Sequence, residues 1–544
     1  MNSDELETLS SRPPTALPRR ATAGGALALA IGAGLLGWAT VWGRRVQTNP
    51  DVKLGAAPLV GQWKFRPSIG YVMPIGLALL VIVVIPRLFV RLQTRWVVLS
   101  TVGLAGSFTA TLAGADGWVA MLDPVVHRTE YWKWLDKMPP VRQMLTNYDE
   151  YDFIVNFSTH IKGHPPGYML LLKALAALGL GNPWIIALVS YVSAGVVAGS
   201  VLVVARRLGT AKFTRRAAPL LILAPYAVWM GTSADAVFSA LVAVGAAGLA
   251  IAATSAQPSR RITFSVLAGL SIGAGLYSSW GTVTCAPILA GVLWCATRQP
   301  GAGHRGARGD ANDGDRHGGI QHHGIQHGGV QNDGGDPRTL NGGVLHDQTG
   351  QGEAERCSVG PDGTSARTGS ISVGERIRWA APIVGWASAG IGAVAVTMTA
   401  LGYNWFAGMG LTRRLYWKGT AQFRPWKYFL VGNMGALLFA IGIVAVVGLG
   451  VAGIGVGKRN SADSGTSPTG TQLTNWLRWL VVCALTCVLA ANFSQYSKGE
   501  VERIWLPFMP WLTLPAALLT RHRLWLLVQA TSAIGLQVML ISKW

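Results

Sequence analysis

Long apolar runs alternate with short polar connections along most of the chain. About fourteen of these runs approach the ~20 residues that an α-helix needs to cross a bilayer. The first spans residues 21–42 and the last residues 524–541, and two others, residues 168–180 and 217–230, are short enough to be half-spans. The pattern predicts an all-α polytopic membrane protein with about 12–14 transmembrane helices.

The composition supports the same class of protein. Hydrophobic residues make up 50% of the 544 positions and charged residues only 13%, whereas a soluble chain carries about 25% charged residues. The 22 tryptophans suit the aromatic belts at the two surfaces of a bilayer. The five cysteines show neither metal-ligand spacing nor a pattern of disulfide pairs. The composition therefore argues against a water-soluble globule.

The net charge of +21 comes from 46 Lys and Arg residues against 25 Asp and Glu residues. Because basic residues accumulate in cytoplasmic loops, basic clusters mark the cytoplasmic connections at residues 87–95, 206–216, 260–261, 458–459 and 521–523. These marks place the connections at residues 114–165, 231–234, 402–427 and 492–503 outside the cell. No long basic amphipathic stretch accompanies the charge, so no nucleic-acid partner is expected.

One connection does not fit the predicted alternation of cytoplasmic and outer connections. Two apolar runs separate His164, predicted outside, from Arg206, predicted inside, although an odd number of crossings is required. Either residues 168–180 form a re-entrant segment or the Arg206 cluster departs from the charge rule.

Two polar stretches lie outside the helical pattern. Residues 1–20 form a polar segment that ends in Arg19 and Arg20, which indicates a cytoplasmic leader. Residues 299–374 are rich in Gly, Asp, Asn and His and contain too few apolar side chains to form a core. They are predicted to be a disordered cytoplasmic loop.

The outer loop at residues 114–165 is rich in acids, with aromatic and aliphatic residues at roughly helical spacing. This pattern predicts amphipathic helices on the membrane surface. Asp116 directly follows an apolar helix, and a carboxylate that is partly desolvated at a membrane edge gains basicity. Asp116 is therefore a candidate general base, the alternative being a structural role at the helix end.

The outer loop at residues 402–427 contains five cations and no acid. Such a loop runs against the usual charge distribution and suits a phosphate partner, the alternative being aromatic anchoring with snorkelling cations. Glu502 and Arg503 lie at the mouth of a later helix, where ionisable groups are usually functional. Asp235 begins a helix and is either functional or a partner of the helix dipole.

An ordered set of short motifs resembles the GT-C superfamily of integral membrane glycosyltransferases, particularly protein O-mannosyltransferases and aminoarabinose transferases. The motifs are Asp116, GHPPG at residues 163–167, SAD at 233–235, the basic loop and ERIWLPF at 502–508. The resemblance divides the chain into additional N-terminal helices (residues 21–95), a GT-C-like core (96–298) and C-terminal helices (375–544). His160 and His164 stand where such enzymes sometimes have a second acid.

The resemblance implies transfer of a sugar from a polyprenyl-phosphate donor to a hydroxyl of a glycan, lipid or protein on the outer face of the plasma membrane. The implied reaction needs no nucleotide cofactor, and the resemblance leaves open whether it needs a divalent metal. Asp116 and Asp123 are the implied catalytic residues. The implied donor-phosphate residues are Arg413, Arg414, Lys418, Arg424 and Arg503, and the implied substrate-binding residues are His160, Lys162, His164, Asp235 and Glu502. The competing interpretation is a polytopic transporter or a lipid flippase.

Overall fold

The computed structural model describes residues 19–231, 233–298, 372–454 and 468–542. Of the predicted leader only residues 19–20 are described, and of the predicted disordered loop only residues 372–374. The rest of both segments lies outside the described residues.

Helices account for most of the described chain. Those before residue 299 are α1 (Arg19–Val46), α2 (Val72–Val83), α3 (Ile85–Arg91), α4 (Thr94–Ala113), α5 (Asp123–Val126), α6 (Val141–Asn147), α7 (Tyr151–Ile154), α8 (Thr159–Gly163), α9 (Gly167–Ala177), α10 (Pro183–Leu208), α11 (Ala211–Ile222), α12 (Ala227–Met230), α13 (Ala234–Thr254), α14 (Pro258–Leu276) and α15 (Ala286–Ala296).

The later helices are α16 (Val373–Ala400), α17 (Trp405–Lys418), α18 (Trp426–Ile454), α19 (Pro468–Phe493), α20 (Val501–Ile504), α21 (Met509–Thr513) and α22 (His522–Met539). Two short antiparallel strand pairs complete the structure. Strands β1 (Gly55–Ala56) and β2 (Leu59–Val60) form a hairpin, and β3 (Gln62–Trp63) pairs with β4 (Leu540–Ile541) near the carboxyl end of the described chain.

Seven helices within the described ranges are long and apolar enough to cross a membrane, namely α1, α4, α10, α13, α16, α18 and α19. The bent pair α2 and α3 raises this number to eight if it forms one span. The protein is therefore an all-α, multi-pass membrane protein, with fewer long spans than the 12–14 predicted. Proline contributes to the difference, because Pro510 and Pro515 lie in a segment where α21 gives way to a 3₁₀ turn.

The two ends of the bundle differ in character. At one end Arg215 of α11 donates a hydrogen bond to the Leu92 carbonyl (2.9 Å), and Arg216 donates to the Leu519 carbonyl. This end gathers several of the arginine clusters and is called the basic end. The opposite end contains the end of α4, the start of α13 and α20, and is called the site end.

The short helix α9 has both of its ends at the site end. The Gly167 amide donates to the Tyr277 carbonyl at 2.6 Å, and the Trp132 indole donates to the Gly181 carbonyl at 2.9 Å. Eleven residues rise about 16 Å, half of a ~30 Å hydrocarbon core. Residues 168–180 therefore begin and end at the same end of the bundle and do not cross it, which agrees with the charge rule at Arg206.

Glycine allows α1 and α18 to pack closely near the basic end. A side chain at Gly450 would collide with the Gly24 carbonyl oxygen, whereas Gly453 has open space around it. We expect Gly450→Val to lower the free energy of unfolding by about 1–3 kcal/mol, the usual cost of overpacking. Thermal unfolding in detergent measures this, with Gly453→Val as the matched control. Equal losses in the two variants would contradict this packing.

Candidate functional site

A buried network of ion pairs at the site end is centred on Arg503. The Arg503 guanidinium donates to Asp235 Oδ2 at 2.5 Å and to Glu500 Oε2 at 3.1 Å. The second oxygen of Glu500 accepts from Arg424 at 3.2 Å. Arg503, Asp235 and Arg424 are all buried. The network thus joins α13, α20 and the loop before α18, which lie far apart in sequence.

Neutral groups complete the network. Arg424 Nε donates to the Val52 carbonyl at 3.0 Å, and its Nη1 donates to the Lys498 carbonyl at 2.5 Å. The Ser233 hydroxyl donates to Asp235 Oδ2 at 3.0 Å and accepts from the Asp235 amide, so it caps α13 as well. Each ionised group therefore has several hydrogen-bond partners, as a buried charge requires.

The charges in the network support one another. Burial on its own would raise the pKa of Glu500, but Arg424 and Arg503 lower it to about 2. Burial would lower the pKa of Arg503, but Asp235 and Glu500 raise it above its ordinary value. Glu500 and Arg503 therefore stay charged across the physiological range of pH.

The predicted surface loop contributes a second buried pair. Glu130 Oε1 lies 2.7 Å from His160 Nδ1, and both side chains are buried. The Nδ1 atom of His164 lies 2.9 Å from the His160 carbonyl oxygen, and burial lowers the pKa of His164 to about 4. The loop forms the short helices α5 to α8 and packs Tyr131 against Tyr168 of α9.

Asp116 forms a separate centre where α4 ends in a 3₁₀ turn. Its Oδ2 accepts from Arg66, and its Oδ1 accepts from the Tyr71 hydroxyl at 3.4 Å. Beside this pair lies a largely apolar groove of about 490 Å³. Ile69 and Trp118 on the groove are 87% and 65% exposed, as suits side chains that face lipid. The groove is lined by residues that include Ser68, Gly70, Met73, Thr111, Trp118 and Met121.

The connection between α1 and α2 touches both centres. Residues 50–66, called the cap segment, provide the Val52 carbonyl to Arg424 and the Val60 amide to Glu502 Oε1 (3.0 Å). The same segment provides Arg66 to Asp116. The connection between the two N-terminal helices is therefore part of the candidate site.

Glu502 is fully buried behind the cap segment. Its Oε2 atom has no hydrogen-bond partner within the described residues. Burial raises the pKa of Glu502 to about 7, since two backbone amides and Arg503 only partly offset the loss of hydration. The side chain changes its charge near neutral pH.

Apart from Glu502, the predicted site residues divide into four groups. Asp235, Arg424 and Arg503 converge in the ion network, and His160 and His164 lie beside each other. Asp116 takes its cation from Arg66 rather than from Arg503. The others lie apart: Arg413, Arg414 and Lys418 are exposed on α17, Asp123 is exposed at the start of α5, and Lys162 Nζ donates to the Val155 carbonyl at 3.3 Å.

Asp116 and Asp235 nevertheless share one end of the bundle. A side chain on Gly231, just before α13, would lie 3.3 Å from the Ala113 Cβ at the end of α4.

No salt bridge links Arg413, Arg414 or Lys418 to an acid in the described part of the chain. Likewise, no group of three or more His, Cys, Asp or Glu side chains suited to a metal is found within the described ranges.

Sequence reasoning missed Arg66, which lies in a connection with no distinctive pattern, and Tyr71, which lies at the start of an apolar run. It gave no role to Glu130, because an acid between a threonine and a tyrosine carries no sign of burial. Glu500 was likewise given no role. No family model, curated protein or solved structure matches the chain.

Removal of Arg503 tests the ion network. We expect Arg503→Leu to lower the free energy of unfolding by about 3–5 kcal/mol, because Asp235 is left buried without a cation. Arg413→Leu, on the exposed face of α17, should change it by no more than about 0.5 kcal/mol. Thermal unfolding of the detergent-solubilised protein measures both. A similar, small effect in the two variants would refute a stabilising role of the network.

The elevated pKa of Glu502 predicts a pH-dependent stability. The folded protein holds this proton up to about pH 7, whereas the unfolded chain releases it near 4.5. The stabilising contribution of the neutral side chain is therefore present below about pH 4.5 and lost as the pH rises through 7. Glu502→Gln should gain about 3 kcal/mol relative to wild type between these limits. Exposed Glu150→Gln is the control, and a pH-independent difference for Glu502→Gln would contradict the assignment.

Proposed function

We propose that the chain is an integral membrane glycosyltransferase that transfers a sugar from a polyprenyl-phosphate donor to an extracytoplasmic hydroxyl. The observation that carries this proposal is the Asp116–Arg66 pair beside an apolar groove of about 490 Å³. A lipid-linked donor needs an apolar surface for its chain and a cation for its phosphate at headgroup depth. The order of motifs that resembles the GT-C superfamily supports the same function.

The distribution of charge supports an extracytoplasmic site. Arginines gather at the basic end, where Arg215 contacts the Leu92 carbonyl at the end of α3. Because basic residues favour the cytoplasmic side, the site end faces outward in the plasma membrane. A donor carried by a lipid suits that location, since it needs no soluble nucleotide.

The reaction assigns a role to each group at the rim of the groove. Asp116 accepts the proton of the acceptor hydroxyl as its oxygen forms a bond to the anomeric carbon. The bond between that carbon and the phosphate oxygen breaks, and the phosphate leaves with the electron pair. Arg66 stabilises the charge that develops on the phosphate. The acceptor hydroxyl belongs to a cell-envelope glycan, lipid or protein.

The remaining cations have two different roles in this proposal. Arg413, Arg414 and Lys418 form an exposed basic face without ion-paired acids, which attracts an anionic donor. Arg424 and Arg503 already bind Glu500, so they fix the start of α20 and the loop before α18 and make no direct contact with the phosphate.

Replacement of Asp116 tests the function. We expect Asp116→Asn to reduce sugar transfer from a radiolabelled polyprenyl-phosphate donor by about a hundredfold or more, since the acceptor proton loses its base. The matched control is Asp152→Asn, an exposed acid of the same outer loop, which should keep wild-type turnover. Transfer at the wild-type rate in the Asp116 variant would rule out its role as base. Movement of a solute or lipid across sealed vesicles without sugar transfer would favour a transporter or flippase.

A further inference from the structure

Arg66 is held firmly by the carboxyl-terminal part of the chain. Its Nη2 atom donates to the Gln537 and Leu540 carbonyls, both at 2.7 Å. Its backbone amide donates to the Val538 carbonyl at 2.9 Å, next to the pairing of β3 with β4. The guanidinium is therefore fixed by neutral carbonyls on one side, and Asp116 is its only ion-pair partner in the described part of the chain.

The same guanidinium has hydrogen-bonding capacity left. Arginine has five N–H donors, of which Asp116 engages one on Nη1 and two backbone carbonyls engage those on Nη2. The second N–H of Nη1 is left over, and the buried Nε atom also has no hydrogen-bond partner among the described residues. The side chain is 24% exposed, whereas that of Arg503 is 7% exposed between two carboxylates. Of these two cations, Arg66 therefore gives up fewer contacts with carboxylates when it binds a new anion.

The position of Arg66 suits the head of a lipid. Ser68 follows Arg66 by two residues and lines the apolar groove, and Gly114 and Gly117, which flank Asp116, line it too. A single apolar chain in the groove would place its phosphate beside Arg66. Neither the groove lining alone nor the ion pair alone selects such a ligand, but their adjacency matches a polyprenyl phosphate.

We propose that Arg66, a residue outside the GT-C-like core, receives the phosphate of the polyprenyl donor and thereby releases Asp116. The inference rests on the proposed function and adds the step in which Asp116 becomes free to act as the base. The guanidinium stays anchored on Gln537 and Leu540 while its charged partner changes from carboxylate to phosphate. Arginine binds phosphate through paired hydrogen bonds, whereas only its Nη1 atom bonds to Asp116. The free carboxylate is then available to the acceptor hydroxyl.

Equilibrium binding of undecaprenyl phosphate, which carries no sugar, to the purified full chain in detergent tests this exchange. We expect Arg66→Ala to weaken binding by about tenfold or more, the effect of losing a charged hydrogen bond. The matched control is Lys64→Ala, which removes an exposed cation two residues away and should change the affinity by less than about twofold. Arg66→Lys should recover part of the binding, because it restores the charge without the fork.

The variant Asp116→Asn distinguishes an exchange of partners at Arg66 from an Arg66–Asp116 pair that is only structural. If Asp116 competes with the phosphate for Arg66, this variant binds undecaprenyl phosphate several-fold more tightly, although its sugar transfer is strongly reduced. Weaker binding in both Asp116→Asn and Arg66→Ala would overturn the proposal, as would wild-type binding in Arg66→Ala. If inorganic phosphate competes as well as the lipid does, the groove contributes nothing to binding, and that part of the proposal is contradicted.

The two proposals fail in different ways. A wild-type protein that binds undecaprenyl phosphate through Arg66 but transfers no sugar contradicts the glycosyltransferase and leaves the lipid-phosphate site standing. A wild-type protein that transfers sugar, together with an Arg66→Ala variant that binds the lipid normally, contradicts only the exchange.

Discussion

Arg503 lies between Asp235 and Glu500, and the arrangement of the site end depends on this contact. Asp235 and Arg503 are 268 residues apart in sequence, and both are buried at an end of an otherwise apolar bundle. A charge in that position is tolerated only with a partner of opposite sign and further hydrogen bonds. The requirement fixes the start of α13 against α20, and through Arg424 it also fixes the cap segment.

The cations of the site end differ in what holds them, and this difference decides which of them can bind an anionic ligand. Arg503 would have to give up two carboxylates that are deeply buried, so it serves the fold. Arg413 and Arg414 are exposed and strongly hydrated, so they attract anions but do not hold them in one place. Arg66 lies between these extremes, since neutral carbonyls position it and a single carboxylate competes for it.

The fold class was predictable because apolar runs of helical length have few other interpretations. The return of residues 168–180 to the end of the bundle at which they start was not, because short apolar runs look alike whether or not they cross. Ionisable residues at the ends of apolar runs, such as Asp235 and Arg503, stood out in the sequence. Their pairing could not be predicted, since nothing in the sequence around either residue specifies the other residue as its partner. Arg66 lies in an ordinary polar connection, and only the pairing of β3 with β4 reveals its importance.

The position of the charges also bears on the choice between an enzyme and a transporter. All five ion pairs found among the described residues lie at the site end. Between α11 and α12, where the helix is interrupted, a neutral amide satisfies the broken backbone, since Gln529 donates to the Leu220 carbonyl at 3.3 Å. Transporters place their ionisable groups near the middle of the bilayer, where the solute has to pass. Ion pairs confined to one end therefore support the proposed chemistry on a lipid headgroup at that end, with the rest of the bundle serving to hold the groove in the membrane.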